Sequence, residues 1–147
     1  AFSVHSPELE EMGERLLKEI DYEGIAEVEF IRDPRTGVFK FLEVNPRIWG
    51  WHTLAIAAGV NLPLLQYRLA AGKKVESADF ISDVSWMRLL TDVPTVFQEI
   101  IRGRMNLSEY IRSLRGTKEL AVFSATDPAP FFYELLLAPR LLLKRGF

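Results

Sequence analysis

Glu29, Glu43, Asn45 and Arg47 are the side chains best suited to chemistry in this 147-residue chain. Two carboxylates and an amide oxygen are hard ligands, suited to Mg²⁺ or Mn²⁺ and poorly suited to zinc. Mg²⁺ usually takes only one or two protein carboxylates and completes its shell with water and phosphate oxygens. Arg47 adds a planar guanidinium that can bind phosphate or carboxylate. The set predicts an open metal–phosphate site, and solvated acids on a surface hairpin are the alternative.

Two strand-like segments must position these groups. Residues 25–32 and 38–45 alternate apolar with polar residues, and the turn sequence DPRTG separates them, so we expect a β-hairpin. With 33–37 as the loop, Arg32 would pair with Val38, and Glu29 would lie diagonally from Glu43 at about 7–8 Å. Alternation predicts shared faces, namely Glu27, Glu29 and Ile31 on the first strand and Phe39, Phe41, Glu43 and Asn45 on the second.

Helices and further strands surround the hairpin in this prediction. Ser6 and Pro7 indicate the cap and first turn of a helix that runs to about Asp21. A join is expected near residues 72–83. The remaining predicted elements are helices at 51–59, 62–72, 94–102 and 108–114, strands at 83–92 and 118–124, and a C-terminal helix broken or kinked near Pro139.

The composition narrows the class of protein. The chain is 48% hydrophobic and 26% charged, which predicts a globular domain with a sizeable core, and its net charge of −2 gives no nucleic-acid footprint. The absence of cysteine excludes disulfides, thiolate zinc sites and cysteine nucleophiles. No secretory signal or bilayer-spanning run is evident, so we expect a cytoplasmic protein without a membrane partner.

The stretch GIAEVEFIRDPRTGVFKFLEVNPRIWG resembles the C-terminal lobe of the ATP-grasp superfamily, and the resemblance extends from about residue 3 to 74. Its most specific part is a pair of acids 14 residues apart, the second within E-x-N-P-R. The superfamily includes biotin carboxylases, carbamoyl-phosphate synthases and carboxylate–amine ligases. The resemblance implies an α+β fold in which an antiparallel sheet is flanked by helices. It also implies that residues 1–75 form the lobe's core and 76–147 a divergent part of the same domain.

The resemblance implies a role for each matching residue. Glu29, Glu43 and Asn45 would bind the Mg²⁺ or Mn²⁺ ions on ATP, and Arg47 would contact the transferring phosphate. Ile31 and Leu42 would lie beneath adenine. The implied reaction passes a phosphoryl group from ATP to a carboxylate, and an amine then attacks the acyl phosphate.

The sequence also departs from the family pattern. Biotin carboxylases carry a further acid after the arginine, whereas this chain continues with Trp49, Gly50, Trp51 and His52. We therefore expect a carboxylate–amine ligase, with a carbamoyl-phosphate-synthase-like or carboxylase-like subunit as the first alternative and a non-catalytic nucleotide-binding or scaffolding module as the second. The other ATP-grasp lobes are expected N-terminal to Ala1, so this chain alone should lack turnover. A homodimer is possible, and the sequence does not decide the oligomeric state.

Four further features have functional interpretations beside structural ones. His52 and Trp49 could touch substrate, but packing is the more common role of such residues. Arg88 could bind a substrate carboxylate, or it could form a salt bridge. The apolar C-terminal segment is predicted to pack against protein rather than membrane, because Glu134 and Arg140 interrupt it.

Overall fold

The computed structural model describes residues 1–114 and 117–145. The chain divides into two compact units, Ser3–Ser82 and Ala1–Phe2 with Asp83–Phe147. The division falls at the end of the 72–83 segment in which the sequence predicts a join. No helix within the described ranges is long and apolar enough to cross a membrane.

The Ser3–Ser82 unit begins with a helix that matches its predicted start. Pro7 occupies the first turn, but the Ser6 side chain makes no capping bond, and the carboxylate of Glu10 instead accepts the Ser6 backbone N–H at 3.2 Å. Gly59 follows the short second helix with φ 102°, a left-handed conformation that glycine adopts without strain. The elements of this unit are α1 (Pro7–Glu19), β1 (Glu27–Arg32), β2 (Phe39–Asn45), α2 (Thr53–Ala57) and α3 (Leu62–Ala70).

β1 and β2 form the expected antiparallel hairpin, but in a different register. Arg32 pairs with Phe39 rather than Val38, so the loop is one residue longer than predicted. A further shift occurs between the Glu29–Glu43 and Phe30–Phe41 pairs, where Leu42 is the extra residue of a β-bulge. Together these two shifts place Glu29 directly opposite Glu43 instead of diagonal to it.

Because of the bulge, the predicted strand faces of β2 are wrong at Phe41. Phe41 pairs with Phe30, and their rings meet edge to face at a centroid distance of 6.1 Å. Phe30 alternates with Glu29 along β1 and so lies on the opposite face from it. Phe41 therefore does not share a face with Glu43, because the bulged residue interrupts the alternation.

The hairpin loop is held together by one buried acid. Asp33 is only 8% exposed, and its carboxylate accepts the Lys40 ammonium at 2.7 Å and the Arg35 backbone N–H at 2.9 Å. Its backbone N–H donates to the carbonyl of Val38 at 2.9 Å, and its carbonyl accepts the N–H of Gly37 at 2.8 Å. These bonds fix the point at which the chain reverses, and with it the position of β2 relative to β1.

Asp33→Asn is expected to lower Tm at neutral pH. The hydrogen bond from Lys40, followed by that from the Arg35 backbone, holds the pKa of Asp33 below its ordinary value of 3.8. A lowered folded-state pKa contributes stability that is present above the ordinary pKa and is lost as pH falls through the folded one. The Tm gap between wild type and variant should therefore narrow in thermal melts below about pH 4. Asp79→Asn, at an exposed acid, is the control, and a gap unchanged by acid would contradict this account.

The second unit contains β3 (Ser85–Met87), α4 (Leu89–Ile101), α5 (Leu107–Ser113), β4 (Thr117–Leu120) and α6 (Ala129–Arg145). β3 and β4 pair in parallel, whereas the resemblance implies an antiparallel sheet. The predicted strand at 83–92 is wrong beyond Met87, because the N–H groups of Thr91 and Asp92 bond to the carbonyl of Arg88 and begin α4 before Pro94. α6 is not broken at Pro139.

Few apolar residues are deeply buried in the described parts of the chain. Leu54 and Ala58 in the first unit and Val84 in the second are 1–4% exposed. Many large apolar side chains remain more than 40% exposed, including Phe97 and Leu136. The expectation of a sizeable core is therefore wrong for the residues described.

Candidate functional site

The hairpin collects three carboxylates at the open end of its ladder. Glu29 lies opposite Glu43, and Glu27 lies opposite Asn45. Directly opposed residues have Cβ atoms about 4.5–5.5 Å apart, so like charges in these positions repel. Without a partner of opposite charge, this end of the hairpin would be the least stable part of the ladder.

The amide of Asn45 lies where such a partner is needed. Its nitrogen donates to the carboxylates of Glu43 at 2.8 Å, Glu29 at 3.2 Å and Glu27 at 3.5 Å. Three acids from two strands thus converge on one atom, which carries only a partial positive charge. A 180° rotation of this amide would present its oxygen to the same point, because the two ends of an Asn side chain have nearly the same shape.

The pKa of Glu27 reflects its burial and the neighbouring carboxylates. Burial raises the pKa of Glu27 above its ordinary value of 4.5, and the charges of Glu29 and, more weakly, Glu43 raise it further. The charge of Arg47 and the Asn45 hydrogen bond oppose the rise. Glu27 was not predicted as a site residue, although its position two residues before Glu29 on the same strand face was the signal that could have identified it.

The donor types in this cluster are those that the predicted metal site requires, but their arrangement as a metal site stays a prediction. Four oxygens, three from carboxylates and one from the Asn45 amide, can turn toward one point, and hard oxygen ligands select Mg²⁺ or Mn²⁺. Among the residues that the structure describes, no group of three or more His, Cys, Asp or Glu side chains is arranged to hold a metal ion by itself. The metal-ligand roles predicted for Glu29, Glu43 and Asn45 therefore stay predictions.

A cleft of about 520 Å³ adjoins this cluster on the β1 side. Glu27 and Glu29 line it together with Val28, Phe30 and Trp51, and Leu9, Glu10 and Gly13 of α1 complete its wall. Ile31 and Leu42, which the resemblance assigns to adenine, do not line this cleft and are 52% and 53% exposed. Their proposed role stays a prediction.

Arg47 follows the cluster after a tight turn, in which its N–H donates to the Asn45 carbonyl at 2.8 Å. Its side chain is exposed, and its charge acts on Glu27. An exposed guanidinium is accessible to an anion from solvent. This position suits the predicted contact with phosphate, and that contact stays a prediction.

Trp49 and His52 form a small packed group. The rings of Trp49 and Trp51 lie 5.4 Å apart, and His52 Nδ1 lies 3.0 Å from the carbonyl of Trp49. A carbonyl only accepts, so Nδ1 must carry the proton in this contact. The Trp49 indole Nε1 is buried without an acceptor in the described residues. The substrate roles of both residues stay predictions beside this packing role.

Arg88 belongs to the other unit, where it has an internal partner. Its Nε and Nη2 both donate to one carboxylate oxygen of Glu134, which is 12% exposed. The pair ties the start of α4 to α6. The salt bridge that the sequence left as an alternative is therefore present, and substrate binding by Arg88 stays a prediction.

Known proteins resemble the part of the chain that contains this site. The family model described as carbamoyl-phosphate synthase L chain, ATP binding domain matches residues 5–78. The chain is 41% identical over 66 residues to acetyl-CoA carboxylase 2 of Oryza sativa subsp. japonica, and 40% identical over 65 residues to acetyl-CoA carboxylase 2 of Arabidopsis thaliana. It is 39% identical over 66 residues to acetyl-CoA carboxylase of Saccharomyces cerevisiae.

Each of these three alignments covers 44% of this chain and 3% of the relative. The chain thus spans a small fraction of the curated relatives that it matches. No solved structure matches it.

Proposed function

Because the chain belongs to the family of carbamoyl-phosphate synthase L chain ATP-binding domains, we propose that its β1–β2 hairpin binds the metal ion and phosphates of ATP within an ATP-dependent ligase. The observation that carries the proposal is the convergence of Glu27, Glu29 and Glu43 on the single amide nitrogen of Asn45. The Asn45 amide nitrogen carries only a partial positive charge, whereas three carboxylates could bind a cation with a full charge.

The proposed roles of the residues follow from their positions. Glu29 and Glu43, opposed across the ladder, would hold Mg²⁺ or Mn²⁺, and the amide oxygen of Asn45 would be a further ligand if the amide were rotated. Glu27 adds negative charge at the rim. When bound, the ion neutralises charge on the phosphates. Arg47 orients and neutralises the phosphoryl group in transfer, so that positioning and charge do most of the work.

The acceptor of the phosphoryl group is proposed to be a carboxylate, which an amine then attacks. The alternative is a carboxylase, with bicarbonate as the acceptor, and the identity to proteins named acetyl-CoA carboxylase favours it. The sequence Trp49-Gly50-Trp51-His52 lacks the acid that biotin carboxylases have after the arginine, which favours the first. In both reactions an anionic oxygen of the acceptor would take the γ-phosphoryl group of ATP and release ADP, so the hairpin would be used in the same way.

Mn²⁺ is a direct probe of this proposal, because its electron spin resonance distinguishes free from bound ion. We expect the full chain to bind Mn²⁺, and to bind Mn·ATP more tightly than ATP without metal. Arg47→Ala should leave the affinity for Mn²⁺ intact and weaken that for Mn·ATP about tenfold, the effect of losing one hydrogen bond to a charged group.

Arg15→Ala is the matched control, since it removes an exposed arginine from α1 in the same unit. Equal losses in the two variants would mean a general charge effect and would contradict the assignment of Arg47. If no Mn²⁺ binding were detected at millimolar Mn²⁺, the proposed metal site itself would be contradicted.

A further inference from the structure

α6 exposes its apolar residues and turns its acid inward. Phe131, Glu134 and Ala138 are the less exposed residues of positions 131–140, and Glu134 is neutralised by Arg88. The exposed residues are large and apolar or aromatic, namely Phe132, Tyr133, Leu135, Leu136 and Leu137, which are 45–75% exposed. Helices of water-soluble domains normally show the reverse pattern, with their apolar stripe inward.

The charge on this helix is entirely cationic toward its end. Glu134 is the only acid in the sequence of residues 129–145, and Arg140, Lys144 and Arg145 follow it. Arg140 is exposed and follows the apolar residues directly. Over residues 131–140, the exposed side of α6 therefore joins an apolar surface to the positive charge of Arg140, and the acid of this stretch, Glu134, is not on that side.

We propose that α6 docks on the surface of an anionic membrane, with its axis in the plane of the interface. Leucine and phenylalanine bury apolar area among the acyl chains, while Arg and Lys reach the acidic headgroups. The sequence argued against a membrane because Glu134 and Arg140 interrupt the apolar run. Glu134 faces inward and pairs with Arg88, and the exposed Arg140 is a cation, which acidic headgroups attract.

The side-chain chemistry of the exposed face favours lipid over a protein partner. Protein interfaces carry about one hydrogen bond per 100–200 Å², supplied by polar side chains on both partners. Between residues 132 and 139, the hydroxyl of Tyr133 is the only polar group on an exposed side chain. A face that offers so few directional bonds suits a fluid apolar phase bordered by negative charge.

Sedimentation of the full chain with vesicles tests the proposal. We expect binding to vesicles of phosphatidylcholine with phosphatidylserine, and little binding to phosphatidylcholine alone. Leu136→Glu, at a residue that is 75% exposed, should weaken binding about tenfold or more, because it removes a buried leucine and adds a charge. Arg140→Glu should weaken binding to the anionic vesicles and reduce its dependence on salt.

Phe97→Glu is the control, because Phe97 is 63% exposed on α4. This substitution also replaces an exposed apolar side chain with a negative charge, but on a different helix. Circular dichroism must show that each variant stays folded. Three results would overturn the proposal: no binding to either vesicle, equal loss in Phe97→Glu and Leu136→Glu, or concentration-dependent self-association that Leu136→Glu abolishes while lipid binding is absent. The last result would assign the face to a second copy of the chain.

Discussion

Glu43→Gln is expected to weaken Mn²⁺ binding by about tenfold or more, because a neutral amide is a far poorer ligand for a hard cation than a carboxylate. The hydrogen bond from Asn45 to residue 43 survives this change, since the carbonyl oxygen of glutamine also accepts. The substitution therefore removes charge while preserving the local geometry. Spin-resonance titration with Mn²⁺ measures the effect, with Glu11→Gln on α1 as the control.

The stability of the same variant distinguishes a functional from a structural role. Glu43 lies directly opposite Glu29, so neutralising it relieves a like-charge contact worth about 1 kcal/mol in water at 4 Å. We expect the metal-free variant to be as stable as wild type or more so in urea denaturation at pH 7. A clear loss of stability together with unchanged Mn²⁺ binding would mean that Glu43 serves the fold alone.

Asn45→Asp is expected to destabilise the metal-free protein by about 2 kcal/mol at neutral pH, since it replaces a shared donor with a fourth negative charge. Asn45→Ala removes the donor without adding charge and should cost less, about 1 kcal/mol. Millimolar Mn²⁺ should recover most of the loss in Asn45→Asp and little of it in Asn45→Ala, because only aspartate is a ligand. Thermal melts with and without Mn²⁺ measure both.

The destabilisation caused by Asn45→Asp is expected to decrease as pH falls. The pKa of Glu27 is raised already in the wild type by burial and by Glu29, and a fourth carboxylate extends the crowding. A carboxyl whose folded pKa is raised favours folding most below its ordinary value of 4.5, and the benefit is lost as pH rises through the folded pKa. The destabilisation should therefore shrink on acidification toward pH 4. A penalty that grows in acid would mean that Asn45 acts through packing.

The hairpin shows how far the sequence could predict the site. Its strands and turn follow from local signals, and the ATP-grasp resemblance of residues 3–74 is confirmed by the family match to residues 5–78. The register was wrong because loop length and the Leu42 bulge depend on which cross-strand bonds form. That error put Glu27 opposite Glu43 and Glu29 diagonal to it, whereas Glu29 lies opposite Glu43 and Glu27 lies opposite Asn45.

The second unit was less predictable, for physical reasons. The apolar residues at 89–90 fit a strand or a helix equally well. The N–H groups of Thr91 and Asp92 bond to the Arg88 carbonyl and make this segment the start of α4. Those hydrogen bonds cannot be read from the residue types alone. The Asn106–Glu109 capping box of α5 is a local signal, and the helix predicted at 108–114 begins one residue earlier, at Leu107. The inward turn of Glu134 needed its partner Arg88, which lies 46 residues away in the sequence.

The two ends of the Ser3–Ser82 unit meet, which bears on how its chain could be reconnected. The Ser3 hydroxyl donates to the carbonyl of Ile81 at 2.7 Å, and the rings of His5 and Phe80 stack at a centroid distance of 4.0 Å. A short peptide could therefore join residue 82 to residue 3 without straining the backbone, and new termini could be opened in the exposed 72–74 segment. Such a circular permutant would keep the hairpin unbroken and separate the site-bearing unit from α6. Metal binding and membrane docking would then become independently measurable properties of separate polypeptides.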